Sequence, residues 1–467
     1  MVPGRLAAAG MLLLLALPVA VADTDRPPIE LGWTVSLRTG FGDGPVVILP
    51  QPIHNATVAF PNGLEVYMVD GRRGTLANQF SSLSGGERGV LLDVDGDGVR
   101  GELLLSSRNQ IALLDLLQEG DRWTWYPGTS GLNGLSVIAP DGQIVAVQGN
   151  GTVVGIDPRI GITSWSVPGD GNTTLLGEPV VFEDGSGILI AAVLPGRKED
   201  WTEPNASWVT SSLVRLVRPD GTTLWSHPLR TQYTINWVPM VAVGRMLVVF
   251  EGDWDFGPMG AVQRVFAVDV DTGRVLWNAS WTGFPLFRPP VVVPTAAGPF
   301  LTAAETSVRW MRLWPLNGTL DHASSDCGGF DRRPALVDFA GDGFPELVST
   351  TDGNRTVNGM VCVQSVPDLR TTWNQTFASH RFWGDPVVGD VDLDGRPEMV
   401  SLAGTGAVGH LNIDAFELNV AGPPPPPDYG FLLPIAAVGV PAAVIVLLMS
   451  RPNRRKENGV QPKPSAP

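Results

Sequence analysis

The residues of this 467-residue chain best suited to chemistry are carboxylates at alternate positions. Residues 389–400 read Gly-Asp-Val-Asp-Leu-Asp-Gly-Arg-Pro-Glu-Met-Val. Asp390, Asp392 and Asp394 alternate, Gly395 follows and Glu398 closes the run. Alternation lets three side chains converge on one point, and the glycine permits the sharp turn round it. A hard cation such as Ca²⁺ takes about six to eight oxygens in such a loop. The backbone carbonyl of Arg396 is the natural additional ligand. An EF-hand would need its closing Glu further on and a helix on each side. Here apolar, alternating residues flank the loop, so it reads as a calcium loop between two β-strands.

Two degenerate copies share the pattern. Asp93, Asp95 and Asp97 precede Gly98, with the closing acid displaced by one residue to Glu102. Asp338, Asp342 and Glu346 keep the frame, but Ala340 stands where the second acid should be. A fourth stretch, Glu183-Asp184-Gly185, reads as a turn only. Asp-Gly also serves plain hairpin chemistry, so the number of loops that hold metal stays open.

The elements that position these loops are short. Runs such as Val46-Val-Ile-Leu, Ile144-Val-Ala-Val and Met246-Leu-Val-Val-Phe are cut by Gly, Pro, Asn and Asp, which is an all-β signature. A turn followed by a tryptophan-bearing strand recurs at Trp125, Trp165, Trp225, Trp277 and Trp373, with Trp314 as a weaker copy. A repeat of about 50 residues made of four short strands is a propeller blade. The blades lay out as 45–87, 88–130, 131–170, 175–230, 234–282, 284–325, 331–378 and 382–421. The last lacks its tryptophan strand, and the N-terminal stretch Glu30-Leu-Gly-Trp33-Thr-Val-Ser supplies one that would close the ring. Eight blades is the expectation and seven the alternative. The tryptophans read as packing between blades.

Sequence outside the repeats points to a surface location. Residues 1–22 read as a secretory signal ending in Ala20-Val-Ala22. Residues 23–421 form the expected ectodomain and 422–429 a stiff proline-rich spacer. Residues 430–450 are apolar enough for a single C-terminal membrane-spanning helix, and the basic tail 451–467 places the C-terminus in the cytoplasm. Eight glycosylation sequons begin at Asn55, Asn150, Asn172, Asn205, Asn278, Asn317, Asn354 and Asn374. The only two cysteines, Cys327 and Cys362, read as a disulfide in an oxidising compartment, with buried free thiols as the alternative. The net charge of −15 argues against a nucleic-acid partner.

The Asp-x-Asp-x-Asp-Gly-x-Pro-Glu loops resemble FG-GAP repeats, also called VCBS repeats, of integrin-α-type propellers. The turn-plus-Trp strands, such as Ala267-Val-Asp-Val-Asp-Thr-Gly-Arg-Val-Leu-Trp277, resemble repeats of the quinoprotein (PQQ-like) propellers. The first resemblance implies Ca²⁺ at Asp390, Asp392, Asp394 and Glu398, and also at Asp93, Asp95 and Asp97. The second implies a quinone-dependent oxidoreductase, yet the adjacent cysteine pair typical of those enzymes is absent, as is CxxCH. No nucleophile elbow, Walker loop or HExxH appears, and the five histidines are scattered. Two insertions, around 196–208 and 251–258, exceed the blade norm and carry exposed-type Trp and acids suited to a protein or glycan. The sequence therefore supports a calcium-stabilised surface binding module with an unidentified extracellular protein or glycan partner. An anchored quinone-dependent oxidoreductase is the alternative, and an assembly scaffold a further one.

Overall fold

In this computed structural model the apolar runs pair into eight antiparallel sheets. The structure describes residues 27–420 apart from 39–43, 83–85, 87, 129–130, 133–135, 170–176, 186, 195–212, 230–237, 252–260, 284–285, 287–289, 305–308, 325–326, 328–332, 352–357, 379–380, 383 and 405–409. The signal 1–22, the spacer, the membrane segment 430–450, the tail and the insertion at 196–208 lie outside the described residues, as does most of the one at 251–258. Among the described residues no helix is long and apolar enough to cross a membrane.

Seven sheets are four-stranded meanders spanning 47–81, 88–125, 137–167, 180–228, 240–283, 291–324 and 335–377. The eighth joins both ends of the chain. Ile29–Arg38 pairs with His410–Leu418, which pairs with Glu398–Gly404, which pairs in turn with Val387–Gly389 and Arg381–Phe382. First strands of neighbouring sheets touch, 47–53 with both 88–92 and 387–389. The sheets are thus blades round an axis, with the first strand of each innermost, and the strand borders fall inside the ranges read from sequence except at Gly283 and Arg381, each one residue outside. Eight blades form, and the N-terminal strand closes the ring.

Middle strands such as Glu102–Ser106 and Ile111–Asp115 are buried on both faces, because each blade packs between two others. This is why they read as unbroken apolar runs. Outer strands such as Thr223–Pro228 are largely exposed. Each core cluster lies between adjacent blades. At the closure, Val400, Leu402 and Ile413 of the last blade meet Val58, Phe60 and Val69 of the first.

Trp225, Trp123 and Trp277 tie one blade to the next through their indole N–H groups, whereas Trp165 donates to Gln143 Oε1 of its own blade at 2.5 Å. Trp225 donates its indole N–H to Val270 O at 2.9 Å, and Trp123 to Pro158 O at 2.8 Å. Each lies over a glycine in the next blade's last turn, where the chain takes a positive φ: Gly273 at 69° and Gly161 at 67°. Trp277 on Gly318 and Trp33 on Gly74 repeat the arrangement. Two corrections to the repeat follow. In the second blade Trp123, not Trp125, holds this position, because Trp123 directly follows the bulge between Leu113 and Leu114, as Trp225 and Trp277 follow theirs. In the sixth blade Trp314 lies in the third strand, and Arg312 reaches the next blade instead, through Pro367 O.

Candidate metal centre

All three acidic loops connect a first strand to a second and share one backbone frame. The first aspartate accepts the N–H of the turn glycine: Gly395 to Asp390 Oδ2 at 3.0 Å, Gly98 to Asp93 Oδ2 at 3.0 Å, Gly343 to Asp338 Oδ2 at 2.8 Å. The acid before the turn glycine accepts the N–H two residues on: Arg396 to Asp394 at 2.8 Å, Val99 to Asp97 at 2.7 Å, Phe344 to Asp342 at 2.9 Å. The closing glutamate accepts the N–H after the first aspartate: Val391 to Glu398 Oε2 at 2.7 Å, Val94 to Glu102 Oε2 at 3.2 Å, Phe339 to Glu346 Oε2 at 2.9 Å. The one-residue displacement of Glu102 therefore does not alter its role.

The loops diverge in what the carboxylates face. Asp390, Asp392 and Glu398 each bring an oxygen within 4.8 Å of the others, and so do Asp93, Asp95 and Glu102. Asp338, Asp342 and Glu346 do not converge in this way, as the alanine at 340 removes the second acid. Asp97 and Asp394 act as caps, outside the convergent groups.

Glu398 is 2% exposed, and its Oε1 is buried with no hydrogen-bond partner. Burial, together with Asp392, Glu417 and Asp390 nearby, pushes its carboxyl up to about 7. Glu417 beside it is raised too, by burial and then by Asp392 and Asp394. Among the described residues no basic side chain pairs with the Asp390 group. An all-oxygen donor set with an orphaned buried carboxylate oxygen fits a hard divalent cation. Asp390, Asp392 and Glu398 would hold it, with the Arg396 carbonyl as the further donor read from sequence.

The Asp93 group is different, through a residue the sequence reading missed. Arg122 Nη2 lies 2.7 Å from Asp95, 2.8 Å from Glu102 and 2.8 Å from Asp115. Its hydrogen bond holds the Asp95 carboxyl below the usual range.

The Asp390 loop also seals the ring. Val391 O accepts the Thr57 hydroxyl of the first blade, and Asp392 O accepts Arg72 Nε–H at 2.7 Å. Leu393 is held at φ 65°, where the other two loops place Gly96 and Gly341.

Antiparallel meanders put these loops and the tryptophan-bearing turns at one end of the propeller. The same logic puts the strand ends at Leu194, Leu213, Glu251 and Ala261 at the opposite end. There Glu178 bridges blades across the axis: Arg88 of the second blade reaches it at 2.9 Å and Arg333 of the seventh at 3.3 Å.

No protein-family model matches the chain, and no curated protein does. Among solved structures it resembles BamB from Moraxella catarrhalis, at 13% identity over 83% of this chain and 99% of that one, with a TM-score of 0.52. The quinohemoprotein alcohol dehydrogenase from Comamonas testosteroni is similar at 10% identity over 84% of this chain and 77% of that one, with a TM-score of 0.43. At these identities the likeness shows the propeller alone.

Cys327 and Cys362 are joined as a disulfide with Cα atoms 5.7 Å apart. Asn55, Asn278, Asn317 and Asn374 are exposed and Asn150 half-buried, while Asn172, Asn205 and Asn354 lie outside the described residues.

Proposed function

We propose that this chain is a calcium-stabilised propeller of the FG-GAP type that serves as a membrane-anchored binding module for an extracellular protein or glycan. The orphaned Oε1 of Glu398 carries the calcium part: a buried carboxylate beside two others needs a cation to offset its desolvation. The ion acts structurally, drawing the last blade's loop together where it grips Thr57 and Arg72. The binding part is supported by the division between the two ends. Chain entry and exit are tied together at the metal end, where Asn419 N–H donates to Pro28 O at 2.9 Å. The opposite end, where the strands flanking the two long insertions end, we take as the partner face.

Melting curves of the purified chain in Ca²⁺ and in chelator test the first part. An equal melting temperature in both would remove the metal from the proposal. Partner capture with crosslinking, comparing the wild type with a chain shortened in 196–208, tests the second part. Undiminished capture would rule out that loop as the contact. The anchored oxidoreductase would be favoured by dye reduction on adding quinone and an alcohol or sugar.

A further inference from the structure

Strand register relates the Asp93 and Asp390 loops atom by atom. Glu102 is paired with Asp115, and Glu398 with Glu417. In the second blade Leu114 faces Asp121 and Leu113 faces Trp123, so Arg122 is the bulged residue of the outer strand. In the last blade Phe416 faces Leu31 and Ala415 faces Trp33, so the bulged residue is Gly32. Arg122 and Gly32 thus occupy the same place relative to the two carboxylate groups. A Cβ built on Gly32 would lie 3.2 Å from Glu417 Oε1, the counterpart of the Asp115 carboxylate that Arg122 grips.

The closing glutamates complete the comparison. Each gives its Oε2 to the loop backbone. Oε1 of Glu102 takes Arg122 Nη2 at 2.8 Å, whereas Oε1 of Glu398 is the buried oxygen without a partner. The guanidinium nitrogen therefore stands on the same oxygens that a cation would hold in the other loop. An arginine already fixed by three carboxylates is an intramolecular ion that no solution metal displaces without first breaking those pairs.

We propose that Arg122 is the resident cation of the Asp93 loop, and that the bulge position decides between a built-in guanidinium and a bound metal. The chain then takes one calcium ion, at the loop where the bulge is glycine. The Gly32 half rests on the calcium reading of the Asp390 loop, and the Arg122 half does not.

Calorimetric titration of the purified full chain with Ca²⁺ tests both halves. The wild type is expected to bind one ion, Arg122→Gly two and Gly32→Arg none. Asp95→Asn should leave the wild-type count at one but take back the ion gained by Arg122→Gly. If Arg122→Gly fails to fold, Asp95→Asn in the wild-type background still decides: loss of an ion there would overturn the proposal. An unchanged count in a cooperatively melting Arg122→Gly chain would overturn it as well. A wild type that binds none, with an Arg122→Gly chain that binds one, would sink the calcium reading of the Asp390 loop and uphold the role of Arg122.

Discussion

Glu398→Gln should change sign with the metal. Without a cation, the fold holds a carboxyl whose pKa has moved from an ordinary 4.5 up to about 7. A raised carboxyl pKa means that the charged form is disfavoured in the fold, so the cost is absent below pH 4.5, grows as pH rises and is complete above about 7. At roughly 1.36 kcal/mol per pH unit this amounts to about 3 kcal/mol at pH 8. Glutamine keeps an oxygen for Val391 N–H and turns an amide toward Asp390 and Asp392, which can accept from it. In chelator at pH 8 the variant should therefore melt about 4 °C higher than the wild type, taking the usual unfolding entropy per residue for a propeller of this size. In Ca²⁺ the order should reverse, because at a thousandfold excess over Kd the wild type gains about 4.1 kcal/mol, more than the variant's advantage, and the variant has lost its buried ligand. Scanning calorimetry at pH 5 and pH 8, with and without chelator, gives all four values. A variant that melts below the wild type in chelator, or that keeps the full response to calcium, would refute the reasoning.

Gly273→Ala places a Cβ 2.7 Å from Trp225 at a φ of 69°, and should cost about 2 kcal/mol and lower the melting temperature without changing calcium binding. Glu178→Ala leaves the guanidiniums of Arg88 and Arg333 facing each other across the axis. It should destabilise by about 3 kcal/mol. The Arg88→Ala and Glu178→Ala pair should be non-additive in a double-mutant cycle, and additivity would dissolve the bridge. Replacing both Cys327 and Cys362 by serine opens a loop with a sequence separation of 35, and chain entropy predicts a loss of about 4 kcal/mol, read by denaturant unfolding.

The blades were legible because burial between two neighbours leaves an unbroken apolar strand, and because most blades repeat their turn and their tryptophan. Where the tryptophan is missing, other chemistry bridges the blades: Asn78 to Glu119 at 2.7 Å between the first two, Arg312 to Pro367 O between the sixth and seventh. The outer strands of the first and sixth blades therefore carry no tryptophan to read. The acidic loops were legible as local spacing. Arg122 was not, since it enters its loop from the outer strand through a bulge, and no count of residues along the chain registers a bulge. Gly32 is hidden in the same way, 366 positions before the Glu398 site it borders. The axial ion pairs join residues 90 and 155 apart, held together only by the ring.

A ring closed by its own two ends cannot be finished in the order in which it is made. Strand Ile29–Arg38 leaves the ribosome first, and its partner His410–Leu418 leaves last, 380 residues on for the Thr34–Asp414 contact. Until then the first seven blades form an open arc. Its leading face leaves Val58, Phe60 and Val69 uncovered, and the waiting strand offers an unpaired edge to any other chain. A chain cut short anywhere before Leu418 is left in that state. The Asp390 loop meets Thr57 and Arg72 only when the arc shuts, so a cation that orders that loop would oppose reopening at this seam.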